Sequence, residues 1–280
     1  MLNAMASNTE RYRAARDQVL AMVDDDRLAA TFSWPHLVGA FNWATDWFDV
    51  IARDNDRTSV RIVEEDGSEQ SVSFAAMAER SDRVAAWLEQ LGIGKGDRVV
   101  LMLGNQIELW ESTLAVTKLG AVVMPATGAL GPSDLADRIV RGGVRAVIAN
   151  AADTAKFDDV GGDYHRVVVG TGDAGWHRYA DAADVVGAKP FTARTTVDDQ
   201  MLIYFTSGTT SRPKPVQHTH RSYPAPIGPP PTRFSPMPAE TLRPINAFGA
   251  SNSWNYRRPS PARSGVSSCG LAKTLANQTI

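Results

Sequence analysis

The run Arg98-Val99-Val100-Leu101-Met102-Leu103 restricts the fold more than any other segment. Apolar side chains without alternation mark a strand buried on both faces, as happens when helices cover a parallel sheet. The next hundred residues repeat that logic. Glu108 to Leu119 has helical periodicity and stops at Gly120, and Ala121 to Met124 is a second short strand. Ser133 is a suitable N-cap for a helix to Arg141, and strands come next at Val144–Ala149, Arg166–Val169 and Met201–Phe205. Strands alternating with helices predict an α/β fold with mainly parallel sheets and flanking helices.

Upstream, Phe41 to Arg53 spaces Trp43, Trp47, Phe48 and Ile51 as an amphipathic helix would. Ser59–Val63 and Ser71–Phe74 flank Asp66-Gly67 and read as a hairpin. Phe74 to Leu91 is a helix with one apolar face, ended by Gly92 in the position of a left-handed cap. Trp43, Trp47, Trp87 and Trp110 fall at core-like positions and read as packing residues. Lys95-Gly96-Asp97 reads as the turn before the first buried strand.

Composition divides the chain. Residues 223–280 hold 10 of the 16 prolines, six basic residues and one acidic residue, Glu240, for a formal charge of +5. The remainder has 23 basic and 30 acidic residues, which gives −7. Proline removes backbone donors and interrupts both helix and central strand. Three regions are therefore expected: an N-terminal helical extension over 1–34, an α/β body over 35–224, and a disordered Pro/Ser/Arg-rich tail over 225–280. The overall charge of −2 argues against a dedicated nucleic-acid binder. One cysteine, Cys269, excludes an internal disulfide framework and fits a reducing, cytoplasmic setting. No run of 18 apolar residues exists, so no transmembrane segment is expected.

Chemistry concentrates in Thr206-Ser207-Gly208-Thr209-Thr210-Ser211-Arg212-Pro213-Lys214, directly after the Met201–Phe205 strand. Five of the six residues from Thr206 to Ser211 carry hydroxyls, the sixth is Gly208, and Lys214 stands three positions beyond. Glycine lets backbone N–H groups approach an anion, hydroxyls add donors, and the lysine adds charge. On composition alone an ordinary Ser/Thr-rich surface loop is equally compatible. The string is not a Walker loop, because no glycine precedes Lys214 and no Ser or Thr comes after it. His218 and His220 stand two residues apart without a third ligand nearby, so no metal site is expected.

Order and spacing shift the balance toward the cradle. The segment resembles the phosphate loop of the AMP-forming adenylating enzymes, the superfamily of acyl-CoA synthetases, luciferases and peptide-synthetase adenylation domains. Their pattern, Thr-Ser-Gly-Thr-Thr-Gly-x-Pro-Lys after an apolar strand, is matched except that Ser211 replaces the second glycine. Pro215 stands where a residue with an N–H usually comes after the lysine. Leu91-Gly92-Ile93-Gly94-Lys95-Gly96-Asp97-Arg98-Val99 and His218-Thr219-His220-Arg221-Ser222-Tyr223-Pro224 are similar to flanking segments of the family. Phe41-Asn42-Trp43-Ala44-Thr45-Asp46 and Val123-Met124-Pro125-Ala126-Thr127 resemble the branch of medium-chain acyl-CoA and acetyl-CoA synthetases.

The resemblance covers roughly residues 35–224. It implies attack of a carboxylate on ATP, giving an acyl-adenylate and pyrophosphate, then displacement of AMP by the thiol of CoA. It implies ATP, Mg²⁺ and CoA as cofactors, a small carboxylic (fatty) acid as substrate, and Thr206 to Lys214 as the ATP-phosphate residues. The family's adenine-contacting segment, its Thr-Glu pair, its ribose-binding aspartate and its C-terminal catalytic lysine have no counterpart in these 280 residues. A truncated N-terminal domain is therefore the expectation, inactive on its own. The alternative is a non-catalytic remnant that binds or regulates.

Overall fold

The computed structural model describes residues 7–21, 32–64, 66–172, 174–192, 194–206 and 213–223. The centre is a seven-stranded sheet in the order β7-β6-β5-β3-β4-β8-β9. Its strands are β3 (Arg98–Met102), β4 (Val122–Pro125), β5 (Val144–Asn150), β6 (His165–Val169), β7 (His177–Arg178), β8 (Gln200–Thr206) and β9 (Lys214–Thr219). Every pairing is parallel except β8 with β9. The expected parallel α/β sheet is thus present, with β9 and the two-residue β7 as additions.

The apolar run in β3 behaves as a doubly buried strand should. Val99 and Leu101 face one core with Ala146, Ile148, Val167 and Leu202. Val100 and Met102 face a second core with Val147, Ala149 and Ile203. The first core is closed by α3 (Phe74–Gln90) and α4 (Ile107–Lys118), the second by α5 (Pro132–Gly142) through Leu135 and Ile139. The period of two in the strands decides which helix each residue meets.

Helix ends are set by local chemistry. The Ser73 hydroxyl accepts from the Ala76 N–H at 3.2 Å and starts α3, and Gly92 beyond it has φ +84. In α5 the N-cap is Gly131, with Pro132 in the first turn, which corrects the expected cap at Ser133. Proline's fixed φ and missing N–H suit that first turn, which moves the start ahead of the serine. The expected helix over Phe41–Arg53 is also corrected. It is a π-helical turn, Trp43–Phe48, running into α2 (Asp49–Ala52). Asn42 sets this geometry: its side-chain oxygen accepts from Ala44 and Thr45 N–H, while its amide donates to the Thr117 carbonyl at 2.7 Å.

The expected hairpin is present as β1 (Thr58–Val63) against β2 (Glu69–Ser73), antiparallel, with Gly67 at φ +84 in the turn. With α2, α3 and α4 it forms a third apolar cluster containing Phe48, Ile62, Val72, Phe74 and Leu114. α1 (Asn8–Ala21) lies on the body through Tyr12, whose ring meets Trp47 edge-on at 4.4 Å. Trp47 and Trp87 are buried and Trp43 and Trp110 are partly buried against this core, as packing residues should be. The expected tail over 225–280 lies outside the described residues.

One polar group holds the helices together. Lys118, the last residue of α4, is fully buried. Its ammonium reaches Asp82 of α3 at 2.7 Å and Asp49 of α2 at 2.9 Å, and donates to the Ala78 carbonyl at 3.1 Å. Burial pushes the Asp49 carboxyl up to about 6, more than neighbouring Lys118 pulls it down. No helix among the described residues is long and apolar enough to cross a membrane.

Candidate functional site

The site is placed by β8 and the return strand β9. Thr206 pairs with Lys214 and Phe205 with Pro215, so the hairpin is closed up to its mouth. Thr206 and Lys214 are therefore the last residue of β8 and the first of β9. Ser207, Gly208, Thr209, Thr210, Ser211 and Arg212 lie outside the described residues. The mouth sits at the carboxyl end of β8, the edge where open α/β sheets place their ligands. Pro215 is accommodated because β9 ends the sheet, where a missing ladder donor is tolerated.

Alternation along β8 gives the two faces of the mouth different neighbours. Thr206 and Lys214 are exposed, and the Thr206 hydroxyl donates to the Lys214 carbonyl at 3.4 Å. Phe205 points the other way, into the core beneath α5. Two arginines of α5 lie over its ring, Arg138 at 5.2 Å and Arg141 at 5.5 Å from the centroid. Arg141 also donates to the Pro213 carbonyl at 3.1 Å and pairs with Asp137 at 2.7 Å. The chain entering the loop and the chain leaving it are thus both tied to α5.

Sequence reading did not find Arg138 and Arg141. The available signal was their spacing of three after the core residue Leu135, which sets them on one side of an amphipathic helix. Only tertiary packing shows that this side meets Phe205. Beneath Arg138 is a cavity of about 10 Å³ with apolar walls that include Val100, Met124, Leu135 and Phe205.

The histidines occupy structural positions. His220 is fully buried; its Nδ1 accepts from the Trp43 N–H at 3.0 Å, and burial holds its pKa down at about 4. His218 stacks on Tyr204 with centroids 5.5 Å apart, and its Nδ1 lies 3.4 Å from the Ser222 hydroxyl. Among the described residues no group of three or more His, Cys, Asp or Glu side chains is arranged to hold a metal ion. A second concavity, of about 610 Å³, lies away from the strand ends beside Asp49, Glu79 and Asp82.

Comparison with known proteins gives a family match, two relatives and two similar solved structures. Residues 47–228 match the family described as AMP-binding enzyme. An uncharacterized acyl-CoA ligase, YtcI, of Bacillus subtilis (strain 168) is 33% identical over 166 residues, 59% of this chain and 31% of that protein. The mitochondrial acyl-coenzyme A synthetase ACSM5 of Rattus norvegicus is 31% identical over 196 residues, 65% of this chain and 34% of that one. The chain thus spans about a third of the length of the curated relatives it matches. In fold it is similar to an acyl-CoA synthetase of Brucella canis, with a TM-score of 0.61 and 23% identity over 75% of this chain and 38% of the other. The N-terminal domain of FACL13 from Mycobacterium tuberculosis is 26% identical with a TM-score of 0.54, covering 65% of this chain and 45% of that one.

Proposed function

The chain belongs to the AMP-binding enzyme family, and on that premise we propose that Thr206 to Lys214 holds the phosphates of ATP in an AMP-forming acid–thiol ligase. A small carboxylic acid, fatty acids included, attacks the α-phosphate; pyrophosphate leaves, and the CoA thiol then displaces AMP from the acyl-adenylate. The observation that carries this reading is the placement of the motif: a loop whose ends, Thr206 and Lys214, are paired at the carboxyl edge of a parallel sheet. The names of the relatives, acyl-CoA ligases and synthetases, support the reaction class.

The residues of this chain contribute positioning and electrostatics. Backbone and hydroxyl donors of the loop, with the Lys214 charge, stabilise the negative charge that develops on departing pyrophosphate. Among the described residues no group of three or more His, Cys, Asp or Glu side chains is arranged to hold the Mg²⁺ that the family implies. The domain limits we adopt are 35 and 224. With a single cysteine the setting we adopt is cytoplasmic.

ATP titration of the chain and of Lys214→Ala tests the phosphate site. Removing one charge-assisted contact costs roughly 1.5–3 kcal/mol, or about 10- to 150-fold in affinity. Equal affinities would remove Lys214 from the site. Exchange of labelled pyrophosphate into ATP, over a panel of carboxylates, separates a ligase from a chain that binds nucleotide without turning it over.

A further inference from the structure

His220, the residue after β9, is fully buried. Its Nδ1 accepts from the Trp43 N–H at 3.0 Å, which leaves the ring proton on Nε2. Nε2 is itself buried and meets no acceptor among the described residues. A second proton could enter only at Nδ1, where the Trp43 N–H already points. The stretch before Trp43 is tied to the same edge of the sheet. The Phe41 N–H donates to the Thr195 carbonyl at 3.0 Å, the Thr195 hydroxyl to the Phe41 carbonyl at 2.7 Å, and the Val197 N–H to the Gly39 carbonyl at 3.0 Å. Its apolar side chains form a small cluster of their own, Leu37, Phe41, Trp47 and Val197, separate from the two cores that flank the sheet. A segment with few buried contacts of its own can open without the rest.

The charged and titratable groups of the surrounding elements are already engaged. Asp199 pairs with Lys95 at 2.8 Å and accepts from the Thr196 N–H at 2.6 Å. Asp46 accepts from the Asn42 N–H at 2.7 Å, and Lys118 of α4 is closed on Asp49 and Asp82. Next to His220, Arg221 pairs with Asp198 at 2.7 Å, His218 faces Tyr204 and Ser222, and the Tyr223 ring meets Trp43 edge-on. No free carboxylate among them stands ready to stabilise an imidazolium, and burial holds the His220 pKa down. We propose that His220 is an acid-released latch: protonation at Nδ1 turns an acceptor into a donor, breaks the bond to Trp43 and frees residues 39–43 from the sheet edge while the sheet itself stays folded. The sign is that of a depressed histidine. The latch holds above the ordinary value of 6.5 and weakens as pH falls below it.

The test is amide hydrogen exchange of the 280-residue chain at pH 7 and pH 5, corrected for the intrinsic effect of pH on exchange. With His220 at about 4 in the fold and 6.5 when released, protection of residues 39–43 should fall about 20-fold between those two conditions. Protection in β3 and β5 should not fall with it. His220→Gln keeps an oxygen that can accept from the Trp43 N–H and does not titrate, so in this variant protection of residues 39–43 should be independent of pH. Should that variant not fold, the ring ¹⁵N resonances of the unaltered chain give the same answer: Nδ1 should take up its proton in step with the loss of Trp43 protection. Equal protection of residues 39–43 at both pH values overturns the latch. So does a fall of the same size in the folded Gln variant, a fall shared equally by β3 and β5, or a Trp43 amide that opens without protonation of Nδ1.

Discussion

Lys118 and Arg138 are both cations on helices that cover the sheet, and they are provided for in opposite ways. Lys118 is fully buried and has three oxygen partners within 3.1 Å, drawn from α2 and α3. Arg138 is half-buried and has an aromatic face but no hydrogen-bonded acceptor among the described residues. A closed polar network pins three helices in place. A guanidinium at the surface keeps its head in water while its plane covers a ring, which costs little. The difference assigns scaffold work to the end of α4, whereas the face of α5 that meets β8 keeps its cations at the surface over the Phe205 ring.

The largest effect should come from breaking the closed network. Lys118→Met leaves Asp49 and Asp82 buried without their counter-charge, and unfolding in urea should show a loss of about 3–5 kcal/mol. A loss below about 1 kcal/mol would mean that water reaches these carboxylates and that the two cations do not differ as described.

Titration sharpens the same contrast. The Asp49 carboxyl sits at about 6 in the fold against an ordinary 3.8. Between those values the folded chain holds this proton more tightly than the unfolded chain. The stability it contributes is therefore present at lower pH and is lost as pH rises through about 6. The gap corresponds to about 3 kcal/mol. Asp49→Asn should thus gain about 3 kcal/mol on the unaltered chain between roughly pH 4 and pH 7. His220 acts in the other direction: held down at about 4, it withdraws stability as pH falls below its ordinary 6.5. Parallel stability curves for the Asn variant and the unaltered chain would show that Asp49 is not desolvated.

A smaller loss is expected where backbone closes the same region. Gly120 lies just past the end of α4 at φ +71, and a Cβ there would lie 2.8 Å from the Thr195 methyl. Gly120→Ala should cost about 1–2 kcal/mol in urea unfolding, from left-handed strain and displacement of Thr195. A neutral result would mean that the turn relaxes. The smallest effect belongs to the open region. Arg138→Leu should change stability by no more than about 1 kcal/mol, the worth of a surface cation over a ring. A loss as large as that of Lys118→Met would make Arg138 a scaffold residue and erase the distinction.

Much of this was legible in the chain itself. The uninterrupted apolar run at Val99–Met102 announced a strand covered on both sides, and both cores are there. Gly92, Gly120 and the Asp66-Gly67 pair marked real ends and turns. β9 was not found, because Lys214-Pro215-Val216-Gln217-His218-Thr219 has little apolar content and begins with a proline-interrupted stretch. An edge strand needs only one neighbour, so β8 holds it without a hydrophobic pattern. The π-helical turn at Trp43–Phe48 escaped for a related reason. Apolar spacing does not distinguish it from an α-helix; the Asn42 bonds across to α4 do.

The sequence by itself determined the alternation of strand and helix, the faces those strands bury and the location of the hydroxyl-rich loop, because periodicity and glycine act over a few residues. Tertiary structure alone decided what the charged residues do. Lys118 and Arg138 look alike as cations on amphipathic helices. One meets carboxylates 36 and 69 residues upstream, and the other meets an aromatic ring on a strand reached only after β5, β6 and β7. Electrostatic partners are chosen by proximity in space, and no local pattern records it.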